Sequence, residues 1–296
     1  MTAPAFHVPY RHPYDFPALL AFLGRRAIDG VEQVSANRYR RSARLHTDGL
    51  EVSGCIDVTD DPEAGHLVVV TTPGLEPAAG ELRGRLSRLF DADTDPAPIL
   101  ACLGPLATNR PGLRLPGAFD GFEMAVRAIL GQQITVRAAT TLAGRLAQTF
   151  GDPLSTGDGV LRCTFPDARR VSDLEPSAIA EQGVIRARAT AIVELARALT
   201  EGRILLEPVP DPEREVAELL RIPGIGPWTA HYLAMRALRW HDAFPDGDYG
   251  VRKALGTVSR RALLEQAERW RPFRARAVMH LWHGHGAAVG GDTEDG

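Results

Sequence analysis

Lysine is almost missing from this chain: it occurs once, as Lys253, so nearly all the positive charge is arginine. Cysteine is scarce as well. Cys55, Cys102 and Cys163 are scattered and odd in number, without the CxxC pairing of a zinc site or the clustered spacing of an iron–sulfur ligand set, so reduced thiols are expected. No apolar run approaches the roughly 18 residues that span a bilayer. The opening MTAPAFHVPYRHPYDF has no apolar core of a signal peptide, which predicts a cytoplasmic protein with no membrane partner. Among nine histidines only His283 and His285 form an HxH pair, and this pair reads as solvent-exposed rather than zinc-binding. No fixed-period repeat suggests a solenoid.

What is present is ordinary globular material. The 296 residues are 44% hydrophobic and 24% charged, enough for two or three domains with packed cores. A net charge of -3 argues against a DNA partner, because phosphate binding relies on a basic footprint. The average conceals a gradient: from His231 to Trp282 ten cations stand against five acids. The acidic, glycine-rich stretch 287–296 has little to bury and is expected to be disordered.

Residues 1–112 carry strand-like runs, RYRRSARL, LEVSGCIDV and HLVVVTT, separated by turn compositions and flanked by the helical patterns DFPALLAFLGRRA and AAGELRGRLSRLF. This predicts an α+β domain with an antiparallel sheet. RPGLRLPGAFDG then punctuates the chain, and residues 113–286 read as helices throughout, an all-α body of two lobes.

Within that body, EVAELLRIPGIGPWTAHYLAMRAL places a four-residue turn, Pro223, Gly224, Ile225 and Gly226, between two helices spanning about 213–240. Glycines permit positive φ and close backbone approach, and Pro227 suits a first helical turn. The open amides of Gly224, Ile225 and Gly226 would offer an anion site for a DNA phosphate without lysine. A plain helix–helix connection accounts for a generic PGxG equally well. The longer strings, this hairpin together with YDFPALLAFLGRRAIDGVE, GLEPAAGELRGRLSRLFD, RPGLRLPGAFDGFEMAVRAILGQQITV, FPDGDYGVRKAL and AERWRPFRARAVMHLW, cover most of the chain. Together they resemble the helix-hairpin-helix DNA glycosylase superfamily and, within it, the 3-methyladenine DNA glycosylase II family.

The resemblance implies a DNA glycosylase that acts on damaged double-stranded DNA. Superfamily members that also nick the backbone carry a lysine two residues after the second hairpin glycine; here that position is Trp228, which implies hydrolysis alone. N-glycosidic cleavage builds positive charge on the sugar, which a carboxylate can stabilise. AFPDGDYGVRK offers Asp246 and Asp248, and the family's catalytic aspartate aligns with Asp248. By position alone Asp248 is a helix N-cap, and both roles can coexist.

The family also implies aromatic pocket residues at Trp228, Tyr232 and Trp282, with Tyr249 and Phe119 as further wall positions; cation–π attraction would favour N-alkylated purines. By spacing alone Trp228 and Tyr232 belong to a buried helix. A flipped base leaves a gap in the duplex. The family's wedge falls in the turn matching GQQI, where Gln133 replaces an apolar residue; Gln132 and Gln133 also read as helix-terminal polar residues. No cofactor is required, but the family suggests a monovalent cation, Na+ or K+, on the main-chain carbonyls of Leu220, Ile222 and Ile225. A monomer with broad specificity for alkylated bases is expected. The rivals are an inactive damage-binding module, which retention of Asp248 disfavours, and a glycosylase with lyase activity, which Trp228 disfavours.

Overall fold

The structure, a computed structural model, describes residues 4–47, 49–154, 159–256 and 259–284. The acidic stretch 287–296 and His285 lie outside the described residues.

The N-terminal part is a five-stranded antiparallel sheet of β1 (Ala5–Pro9), β2 (Glu32–Ser35), β3 (Arg38–Thr47), β4 (Leu50–Asp61) and β5 (His66–Thr71), ordered β1-β5-β4-β3-β2. The three expected runs form the centre. β1 and β2 are additions, and both are edge strands whose order comes from a partner: β1 ends in a proline and β2 has four residues. Alternation along β3 and β4 puts Tyr39, Leu45, Ile56 and Val58 inward, each at most 1% exposed. Helices α1 (Phe16–Gly24), α2 (Ala79–Leu89) and α3 (Pro96–Leu103) complete this α+β part.

The rest is helical, as expected: α4 (Gly121–Leu130), α5 (Val136–Phe150), α6 (Ala168–Ser172), α7 (Pro176–Ala180), α8 (Arg186–Thr200), α9 (Pro212–Leu219), α10 (Pro227–Arg236), α11 (Tyr249–Ala254), α12 (Arg260–Ala267) and α13 (Arg274–Gly284). Asp120, Thr135, Asp211, Asp248 and Ser259 cap α4, α5, α9, α11 and α12 with side-chain oxygens. α4 and α10 form the centre of this part. In α4 Ile129 and Leu130 are fully buried, each stabilising the fold by about 1.5–3 kcal/mol.

α10 stops at Arg236 rather than continuing to Trp240. Arg239 takes φ 55° and is held there by Asp91 and Asp93, so the chain turns where the apolar pattern alone continues. Asp91 is also the tie between the parts. It is 1% exposed and accepts from Arg276 of α13, Arg239, Thr94 and the Leu115 amide. Against the cost of burial, Arg276 holds the Asp91 carboxyl below its ordinary range.

Candidate active site

The hairpin of α9 and α10 turns through Leu220–Gly226. Gly224 has φ 88°, and a Cβ there would lie 2.8 Å from Ala191 Cβ, so both conformation and space require glycine. Gly226 needs neither: its φ is -89° and a Cβ would meet nothing. Its missing side chain leaves the start of α10 without a side-chain cap. Ile225 departs from the expected anion site, because its side chain is buried and its amide closes the turn onto Ile222 O at 3.1 Å. The amides of Gly224, Gly226, Trp228 and Thr229 bond no acceptor among the described residues.

Gln132 departs as well. Its Nε2 donates to Gly224 O and Thr229 Oγ1, both at 3.0 Å, so it braces the hairpin rather than reaching outward. Gln133 beside it is exposed, adopts φ 56°, and sits in the α4–α5 turn on the lining of a large cavity. A left-handed backbone at a non-glycine residue is uncommon, and such strained positions cluster at functional sites.

The cavity, of about 1340 Å³, lies between the sheet and the helical body and runs to the hairpin. One wall is aromatic. Trp228 and Tyr232, one turn apart on α10, stack with ring centroids 5.1 Å apart and planes 12° apart. Asp248, 5% exposed, caps α11 by accepting from Val251 N at 2.9 Å. Its two oxygens take two further donors: Trp228 Nε1–H on Oδ2 and Trp282 Nε1–H on Oδ1, each at 2.9 Å. Gly250 makes this approach possible, since a Cβ there would lie 3.1 Å from Trp282 Cδ1 and 3.2 Å from Asp248 Oδ1.

All three donors are neutral, and no cation pairs with Asp248 among the described residues. The carboxylate is held in place but its charge is not cancelled. Asp246 differs: it is ion-paired with Arg260 at 2.6 Å and does not line the cavity. The structure thus separates two acids that stand two positions apart in sequence.

The remaining aromatic positions divide. Trp282 is buried behind Asp248, off the cavity lining, with its ring 6.4 Å from Tyr232; it is an anchor for the carboxylate, not a wall. Tyr249 lines the cavity but is 73% exposed, at the mouth. Phe119 lines the cavity, with the Arg41 guanidinium 3.9 Å from its ring centroid and that of Arg85 at 5.6 Å, so cations pack against this ring.

Sequence reasoning missed the opposite wall. There Arg41 pairs with Glu123 at 2.6 Å, Arg127 bridges Glu123 and Glu32 at 2.7 Å each, and Tyr39 donates to Glu32 at 2.6 Å. Burial opposes the charged form of Glu32, but Arg127 and Arg41 outweigh it and hold its pKa below the ordinary value. The Glu123–Arg127 spacing on α4 was a readable signal; partners 82 and 95 residues away were not.

The basic stretch also changes meaning. Of its ten cations, Arg236, Arg274 and Arg276 are buried, and Arg239, Arg260, Arg261 and Arg271 are ion-paired. Arg252, Lys253 and Arg269 are exposed without a carboxylate partner among the described residues, and Lys253 lines the cavity rim.

Comparisons with known proteins agree with this geometry. The family model described as AlkA N-terminal domain matches residues 5–120, and that described as HhH-GPD superfamily base excision DNA repair protein matches residues 126–269. Fold and site thus define a base-excision DNA repair enzyme of the helix-hairpin-helix class. The chain is 36% identical over 277 residues to DNA-3-methyladenine glycosylase 2 of Escherichia coli (strain K12), covering 94% of this chain and 96% of that one. It is 33% identical to the DNA-3-methyladenine glycosylase of Bacillus subtilis (strain 168), over 65% and 68% of the two chains. A solved structure, the 3-methyladenine DNA-glycosylase from Archaeoglobus fulgidus, shares the fold with TM-score 0.77 at 22% identity, over 94% of this chain and 97% of that one. The chain belongs to the DNA-3-methyladenine glycosylase 2 family, and it is an N-glycosylase of base excision repair. No helix among the described residues is long and apolar enough to cross a membrane.

Proposed function

We propose that this enzyme hydrolytically excises N-alkylated bases, 3-methyladenine and related purines, from duplex DNA, working as a cytoplasmic monomer. The observation that carries this reading is the uncancelled charge of Asp248 between two indole N–H groups, on a cavity walled by Trp228 and Tyr232. A flipped alkylpurine cation would stack on those rings while the sugar's developing charge faces Asp248. Gln133 is the residue we assign to the gap left in the duplex, and the amides of Gly226 and Trp228 to a phosphate.

The carbonyls of Leu220, Ile222 and Ile225 are the assigned holders of an alkali cation. They are hard, neutral oxygens, and Ile222 O keeps a second lone pair after accepting from Ile225 N. A bound cation would pin the turn and add positive charge where the phosphate docks.

A lyase is the second reading, because Lys253 lies on the cavity rim. Its exposed ammonium on α11 suits a phosphate contact instead. The test is gel analysis of a duplex carrying one alkylated purine. Base release with strand breaks only after alkali is expected, and Asp248→Asn should lose at least about a hundredfold in excision rate. Breaks without alkali, with borohydride trapping through Lys253, would establish the lyase; DNA binding without base release would leave a damage-binding module.

A further inference from the structure

The side-chain donors around Asp248 and the aromatic wall are unevenly spent. The indole N–H groups of Trp228 and Trp282 both go to Asp248. Tyr232 lines the same cavity, and its hydroxyl oxygen lies 2.7 Å from Arg236 Nη1. Arg236 is 1% exposed and otherwise committed: Nε is bonded to Pro116 O, Nη2 lies 3.3 Å from Gly117 O, and the guanidinium carbon sits 4.9 Å from the Phe22 ring.

A guanidinium is only a donor, so the Tyr232 oxygen must accept, and the hydroxyl's own proton points elsewhere. Among the described residues no acceptor takes it. A buried donor without a partner is costly unless something in the cavity completes it.

We infer that Tyr232, oriented by Arg236, donates a hydrogen bond to an acceptor atom of the base in the cavity and so separates two chemical classes of lesion. This rests on the reading of the cavity as a base pocket. When the C1′–N bond breaks, its electron pair passes to the base, and water supplies hydroxide to C1′. An N-alkylated purine starts as a cation and leaves neutral, and the water's remaining proton passes to solvent. A neutral lesion base leaves as an anion and takes up the water's remaining proton. Hydrogen bonds to charged groups are the stronger kind, so the Tyr232 donor assists the anionic leaving group more than the neutral one.

The test compares kcat/KM on duplexes carrying hypoxanthine, a neutral base, and 7-methylguanine, a cationic one. Tyr232→Phe keeps the ring stacked on Trp228 and removes the proton. The hypoxanthine to 7-methylguanine ratio should fall by about tenfold or more; a ratio within about twofold of wild type would overturn the inference. Thermal melting monitors folding, because Arg236 Nη1 loses its acceptor. Should that variant not fold, 3-fluorotyrosine incorporated at position 232, a stronger donor of the same shape, should raise the ratio, and an unmoved ratio overturns the inference. Wild-type protein that releases 7-methylguanine but no hypoxanthine also overturns it and leaves the base pocket intact. Release of neither base would overturn the pocket reading itself.

Discussion

The two walls of the cavity treat buried carboxylates in opposite ways. On the wall built by the sheet and α4, Glu32 and Glu123 are each matched by guanidinium groups, so that their charges cancel within a few ångströms. On the wall built by α10, α11 and α13, Asp248 has three neutral donors and no matching cation among the described residues. A paired buried charge organises structure; one that is held but not cancelled keeps a field for a ligand. Under the proposed function, the difference separates scaffold from chemistry within one cavity.

The comparison can be broken most forcefully at Glu123. Glu123→Gln leaves Arg41 and Arg127 short of a buried partner and should cost about 4 kcal/mol, read by denaturant unfolding. A loss below about 1 kcal/mol would mean that the charged wall is not structural.

Acid sharpens the contrast from another side. His280 on α13 is buried, and burial, with His283 and Arg276 nearby, lowers its pKa to about 4. The unfolded chain takes up that proton first, near the ordinary value of 6.5. Stability from neutral His280 is therefore full above about pH 6.5 and is lost as pH falls toward 4, up to about 3 kcal/mol. Glu32 and Asp91, held below their ordinary range, keep their ion pairs through that window. Melting between pH 7 and 4 should flatten in His280→Gln, and an unchanged slope would refute the assignment.

The smallest effect is expected at Trp282. Trp282→Phe removes one of three donors to Asp248 without touching the cavity lining. Excision should fall by about tenfold, in kcat rather than KM. A change confined to KM would return Trp282 to the pocket wall.

How much of this was legible in sequence follows the range of the interactions. The central strands, the hairpin, the α10 aromatics and the capping position of Asp248 are local patterns, and they are where periodicity and turn chemistry place them. The edge strands depend on partners, and the charged wall joins residues from β2, β3 and α4, so neither leaves a local trace. Charge counting misleads for the same reason: Arg236, one of ten cations in the basic stretch, faces inward to carbonyl groups and Tyr232. Ile225 of the hairpin and Gln132 of the α4–α5 turn carry bonds that position in a motif does not reveal, since the Ile225 amide and Gln132 Nε2 both bond to the hairpin turn.

The central claim is that Asp248 presents an uncancelled negative charge to the sugar. It is tested most directly by the affinity of duplexes carrying a positively charged pyrrolidine in place of the abasic sugar, relative to the neutral tetrahydrofuran analogue. The cationic analogue should bind wild type at least about tenfold more tightly than the neutral one, and Asp248→Asn should erase most of that preference while binding the neutral analogue about as well. An equal preference in both proteins would contradict the account.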